Sequence, residues 1–139
     1  MKASELRIGN LVLDNCVVRR VIGVLGYKCE LDNTLRRDYF IRTDEINPIP
    51  LTEEWMINIG FEKHDPPEWR LQYGNTNDDD YLYICFYKSK LALKTGYKGE
   101  YYVQPFNAIK YVHQLQNLFF ALTGEDLNLN NDKVLGRLS

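Results

Sequence analysis

Residues 81–87 read Tyr-Leu-Tyr-Ile-Cys-Phe-Tyr, aromatic or apolar at every position. That is too short for an ordinary helix and suits a pleated surface, so it reads as a central β-strand. Just upstream, Trp69, Leu71 and Tyr73 alternate with Arg70 and Gln72, the two-residue period of a half-buried strand. Downstream, Leu91–Leu93 and Tyr101–Val103 supply further strands, with a turn at Gly96 and Gly99 and a polar loop from Asn75 to Asp80. Residues 61–104 thus predict an antiparallel sheet.

Toward the C-terminus the spacing predicts a helix over about 107–123. Asn107 is its expected cap, and Gly124 its stop. Ala108, Tyr111, Val112, Leu115, Leu118, Phe119 and Leu122 share one face, widened by Ile109 and Phe120. Lys110, His113, Gln114 and Asn117 make the polar side, which places His113 toward solvent. An arc this wide is expected to cover the second sheet and to touch one more element, the N-terminal unit or a second subunit. Gln116 lies inside the arc, and a buried amide needs partners. The preferred partner is a strand edge or the linker; the functional alternative is a ligand or another protein. Gln116, His113 and Phe120 are therefore the candidate interface residues of this helix.

Toward the N-terminus, residues 1–47 predict short strands joined by tight turns. These are Leu6–Leu13, the run from Val17 to Leu25 broken by Gly23, Tyr27–Leu31, and Tyr39–Ile41. They suggest a small half-open barrel, and the opening Ile8-Gly9-Asn10-Leu11-Val12 looks like that of Src-homology-three-like barrels, an analogy of fold alone. Ile46-Asn47-Pro48-Ile49-Pro50 reads as a stiff extended connector and a domain boundary. Thr52 can then cap a linker helix over about 52–59, with Glu53 and Glu54 favoured by its dipole and Gly60 ending it. The fold class is α+β. A β-rich unit (1–47) is followed by an antiparallel sheet with two helices (48–127) and a polar tail (128–139), where Leu127 and Leu129 alternate like a short edge strand.

The chain has 139 residues, 45% hydrophobic and 26% charged, enough to bury a core, and a net charge of −2 that gives no overall pull toward nucleic acid. The first ten residues lack a leader's apolar core, and no run approaches the roughly 18–20 residues of a membrane span. The expectation is a cytoplasmic protein. Cys16, Cys29 and Cys85 are odd in number and widely spaced, so free thiols are preferred over a Cys16–Cys29 bridge.

No catalytic, metal or cofactor motif emerges. His64 and His113 lack ligand partners at metal spacing. Asn75–Asp80 resembles half a calcium loop, but Asp80 stands at the turn-glycine position and Phe86 at the bidentate-acid position. Residues 81–99 contain no acid and carry Lys88, Lys90, Lys94 and Lys98 beside Tyr87 and Tyr97. Lys interleaved with Tyr is one way to track phosphates and stack bases. Lysines guarding a sheet edge are the preferred explanation. Arg19-Arg20, Arg36-Arg37 and Arg42 form a weaker patch with acids interspersed.

Two segments carry a resemblance: Pro48–Lys63 (PIPLTEEWMINIGFEK) and Tyr111–Leu127 (YVHQLQNLFFALTGEDL), together with the opening MKASELRIGNLV. They look like small uncharacterised proteins common in Bacteroides-group bacteria and their phages and mobile elements; 65–99 has no match there. The chain departs from the resemblance at Phe119, where the family has Tyr, a mild change that leaves the packing role intact. The resemblance implies no activity and no catalytic residues. It implies context: a bacterial or phage-encoded accessory protein, in the bacterial or host cytoplasm. With it, the leading expectation is a non-enzymatic module that binds a protein partner or a second copy of itself. The alternative is nucleic-acid or nucleotide binding through 81–99, and an enzyme whose site assembles only on folding comes third.

Overall fold

The computed structural model describes residues 1–33, 35–63, 68–77, 80–87, 90–97, 100–106 and 109–127; across 72–106 this is the backbone alone, apart from Ile84 and Cys85. The protein is α+β, with two antiparallel sheets and two α-helices among the described residues. It divides into two compact units, Met1–Thr52 with Lys110–Ser139, and Glu53–Ile109. In sequence, the second unit is an insertion in the first.

The first unit is a meander of β1 (Leu11–Asp14), β2 (Val17–Leu25), β3 (Lys28–Leu31) and β4 (Phe40–Arg42), paired in that order. The β1–β2 turn is Asn15-Cys16, both left-handed at φ 50° and 64°. That is the backbone of a type I′ hairpin, whose twist matches the strands it joins. β2 and β3 shift register between Val21 and Gly23, leaving Ile22 at a bulge. Val12, Val21, Cys29, Leu31 and Ile46 form the core, with Met1, Leu6, Val24, Tyr39 and Ile41 packed around it. Each such side chain contributes about 1.5–3 kcal/mol when fully buried. The three cysteines are free, Cys16 exposed and the other two buried; burial pushes the Cys29 thiol pKa up, with the Asp14 carboxylate adding to the shift.

After a 3-10 turn at Thr43–Glu45, Asn47 pairs with Leu13 through N–H···O bonds of 2.8 and 2.9 Å. The chain thus returns to the free side of β1, although the sheet does not close into a barrel. The segment expected to be a connector belongs to this unit instead. Ile46 and Ile49 are fully buried, and Pro50 bridges to Tyr111. The extended geometry that proline imposes is what a bridging strand requires.

The terminal helix, α2 (Val112–Thr123), is also part of this first unit and contacts β1. Its spacing predicts packing on the second sheet and contact with one more element, the N-terminal unit or a second subunit; the contact with the N-terminal unit is the one described. Leu11-Val12-Leu13 held the clue: β1 is buried at every position, and an unbroken apolar run marks a strand covered on both faces. The helix starts later than expected; Asn107 and Ala108 lie outside the described residues.

The second unit opens with α1 (Glu53–Ile59), ended by Gly60 at φ 110°. Its sheet runs β5 (Glu62–Lys63), β6 (Glu68–Asn77), β7 (Asp80–Tyr87), β8 (Lys90–Tyr97) and β9 (Glu100–Phe106), in that spatial order. Met56, Ile59, Phe61, Trp69, Leu71, Ile84 and Cys85 are buried, whereas Trp55 is half-exposed. The polar stretch read as a loop is mostly strand, because β6 runs on to Asn77 and β7 begins at Asp80. Gly96, expected in a turn, sits inside β8 opposite Tyr81. Among the described residues no helix is long and apolar enough to cross a membrane.

Candidate functional site

Helix α2 is fixed to the start of β1 by side-chain amides. Gln116 is 5% exposed; its Oε1 accepts from the Leu11 N–H at 2.8 Å and its Nε2 donates to the Gly9 carbonyl at 3.1 Å. Asn10 Nδ2 donates to Asn117 Oδ1 at 2.8 Å, and Asn117 Nδ2 donates to the Glu5 carbonyl at 3.1 Å. Gly9 supplies a φ of 98° that lets this segment turn toward the helix. The Arg7 guanidinium lies 4.1 Å from the Phe120 ring centroid and pairs with Asp126 at 2.8 Å. Gln116 thus spends its amide inside the chain, and Phe120, although partly exposed, is roofed by Arg7.

His113 corrects the expectation of a solvent-facing residue. It is 3% exposed, stacked at 5.9 Å on Tyr111, and its buried Nδ1 has no hydrogen bond among the described residues. The amide bonds to Gly9, Asn10 and Leu11 set the rotation of the helix. Val112, His113, Leu115 and Gln116 face inward as a result, and Phe119 and Leu122 are only half-buried. Burial drives the His113 pKa below its usual value; the Glu5 carboxylate pulls it up, and the terminal amine of Met1 adds to the lowering.

The first sheet carries an exposed apolar set that sequence reading missed. Val24 and Ile41 pack on the core, so by strand alternation Leu25, Lys28, Glu30, Phe40 and Arg42 lie on the opposite face. There Leu25 is 62% exposed and Phe40 42%, with Tyr27 67% exposed in the adjoining turn. The bulge at Ile22 reverses the alternation halfway along β2. The parity of Val18 therefore does not carry through to Leu25, and sequence spacing could not reveal this face.

The Lys/Tyr segment is described by its backbone. Lys88 and Lys98 lie outside the described residues, as do His64 and the whole tail 128–139, Leu129 included. Lys90, Lys94 and Tyr97 are on β8, which pairs with β7 on one side and β9 on the other. An internal strand has no free edge to protect, so edge protection does not explain Lys90 and Lys94. The register sets Tyr87 opposite Lys90 and Tyr83 opposite Lys94, which puts the two lysines and the two tyrosines on one face. Arg70, opposite Cys85, shares it.

Among the described residues no cluster of three or more His, Cys, Asp or Glu is placed to hold a metal ion. No known protein-family model, curated protein or solved structure matches the chain.

Proposed function

We propose that this protein is a non-enzymatic interaction module, of the accessory kind that its resemblance to bacterial and phage proteins implies. The observation that supports it is the exposure of Leu25 and Tyr27 at one end of the first sheet, with Phe40 exposed on the face that carries Leu25. Leu25 and Tyr27 adjoin at the β2–β3 turn, and Lys28 and Glu30 of β3 lie between them and Phe40; exposed apolar residues grouped among charges mark contact surfaces more often than isolated ones do. Tyr is favoured at such surfaces because it pairs apolar area with a polar tip. The Leu13–Asn47 bridge supports reading the unit that presents this face as a half-open barrel. The test is a quantitative capture experiment from bacterial lysate with the wild-type chain and a Leu25→Glu/Tyr27→Glu variant of unchanged melting temperature. The reading expects a specific partner that the variant loses. Identical capture by both would reject it.

A second reading is favoured by the internal position of β8: single-stranded nucleic acid bound on the face shared by Tyr83, Tyr87, Lys90 and Lys94. Fluorescence anisotropy with labelled oligonucleotides tests it. Affinity should fall steeply with salt, since displaced counterions drive such binding, and Lys90→Glu with Lys94→Glu should abolish it. Affinity indifferent to both would remove this reading.

A further inference from the structure

β4 is an outer strand of the first sheet and pairs only with β3 among the described strands. The Leu31 N–H bonds to the Tyr39 carbonyl at 2.9 Å, and the Thr43 N–H to the Tyr27 carbonyl at 2.9 Å. Antiparallel ladders alternate, so Tyr39, Ile41 and Thr43 turn their backbone groups toward β3. Phe40 and Arg42 turn theirs outward, the Arg42 carbonyl also opening the 3-10 turn at Thr43–Glu45. The open edge is short, with its side chains on the exposed face.

We propose that this edge pairs with the same edge of a second copy, across a two-fold axis through Ile41. The inference rests on reading the first sheet as an interaction surface and names its partner. Centred on Ile41, an antiparallel pairing sets Phe40 opposite the second copy's Arg42, and Arg42 opposite the second copy's Phe40. Each of these pairs exchanges both of its outward backbone hydrogen bonds. The same operation lays a guanidinium against an aromatic ring on both sides of the axis, and Glu30, beside Phe40 on β3, adds a negative charge beyond the ring. A closed two-fold contact needs such self-complementarity, residue i on j and j on i. Short length and a cationic residue are also how proteins keep sheet edges apart, but that device works when like charges meet. Here the register places each arginine on a ring. Among the described residues Arg42 is held by an exposed ion pair to Asp44 at 2.7 Å, a contact of little strength. Three residues of edge bury little area, so the association is weak and concentration-dependent.

Sedimentation velocity across a concentration series reads it, with the full chain throughout. Wild type is expected to shift reversibly from monomer toward dimer as concentration rises into the high micromolar range. Phe40→Arg sets arginine opposite arginine and should hold the chain monomeric at every concentration. Phe40→Arg combined with Arg42→Phe restores the cross-pairing and should restore the dimer, which separates lost pairing from lost folding; circular dichroism melts confirm that each variant folds. A wild type that stays monomeric, a dimer indifferent to Phe40→Arg, or a double variant that folds but stays monomeric would overturn the proposal. The capture experiment with Leu25 and Tyr27 changed leaves β4 intact. A monomer that still captures a partner through those residues defeats the self-pairing and leaves the interaction reading standing.

Discussion

Gln116 shows how a polar side chain is kept in an apolar setting. Its two amide ends meet a buried donor and a backbone acceptor of the segment entering β1. Gln116→Leu would keep the volume and leave both backbone groups unpaired, at a cost of about 1–3 kcal/mol each, or about 2–6 kcal/mol together; urea unfolding should show a drop in that combined range. His113 sits on the same helix with the opposite bookkeeping, buried and incompletely bonded. Its folded pKa lies below the unfolded value of 6.5, so below that pH the unfolded chain takes up the proton first. The neutral ring's stability is fully present above about pH 6.5 and is lost as pH falls toward the folded pKa. Melts between pH 7.5 and 5 should decline, and His113→Leu should flatten the part of the decline that comes from this ring. Both residues were visible as candidates in the sequence, but their surroundings were not. Helical spacing gives relative angles, and which side faces inward depends on what the helix meets.

At the scale of elements, the β1–β2 hairpin and the terminal helix carry the contrast between local and distant control. The hairpin is local. Asn15 suits the first left-handed turn position and Cys16 fits the second poorly, because a β-carbon there is crowded. Cys16→Gly is expected to stabilise the protein by about 0.5–1 kcal/mol, after the entropy cost of glycine, in thermal or denaturant unfolding. A tight turn between Leu13 and Val17 was legible because Asn favours left-handed backbone, although its central pair is Asn15-Cys16 and Asp14 still belongs to β1. α2 was legible as a helix, down to its stop: Gly124 adopts φ 73° and its N–H bonds to the Phe120 carbonyl at 2.8 Å. Its start was not. Ile49, Pro50 and Leu51 take up the backbone of residues 110–112 in strand-like pairing, and a partner about sixty residues distant in sequence leaves no mark on local periodicity.

For the whole molecule, the pairing of Pro50 with Tyr111 means that the chain leaves and re-enters the first unit at adjacent points. Bridged residues have Cα atoms about 4.5–5.5 Å apart, a gap that a short turn can span. Replacing 53–109 with a Gly-rich turn is therefore expected to leave a chain that folds cooperatively, with α2 still held to β1. Dispersed amide resonances and a sigmoidal melt would confirm this, and a disordered spectrum would refute it. The sequence by itself determined the α+β class, the strand-forming segments and the helix stop, because each follows from spacing and turn chemistry within a few residues. It also showed an acid-free Lys/Tyr stretch. Only the tertiary structure decided which sheet the terminal helix covers, that His113 is buried, that Lys90 and Lys94 sit on an internal strand, and that Phe40 and Arg42 open an edge. Those outcomes depend on long-range pairing and on a bulge that reverses the facing of a strand, and neither is encoded in the spacing of neighbouring residues.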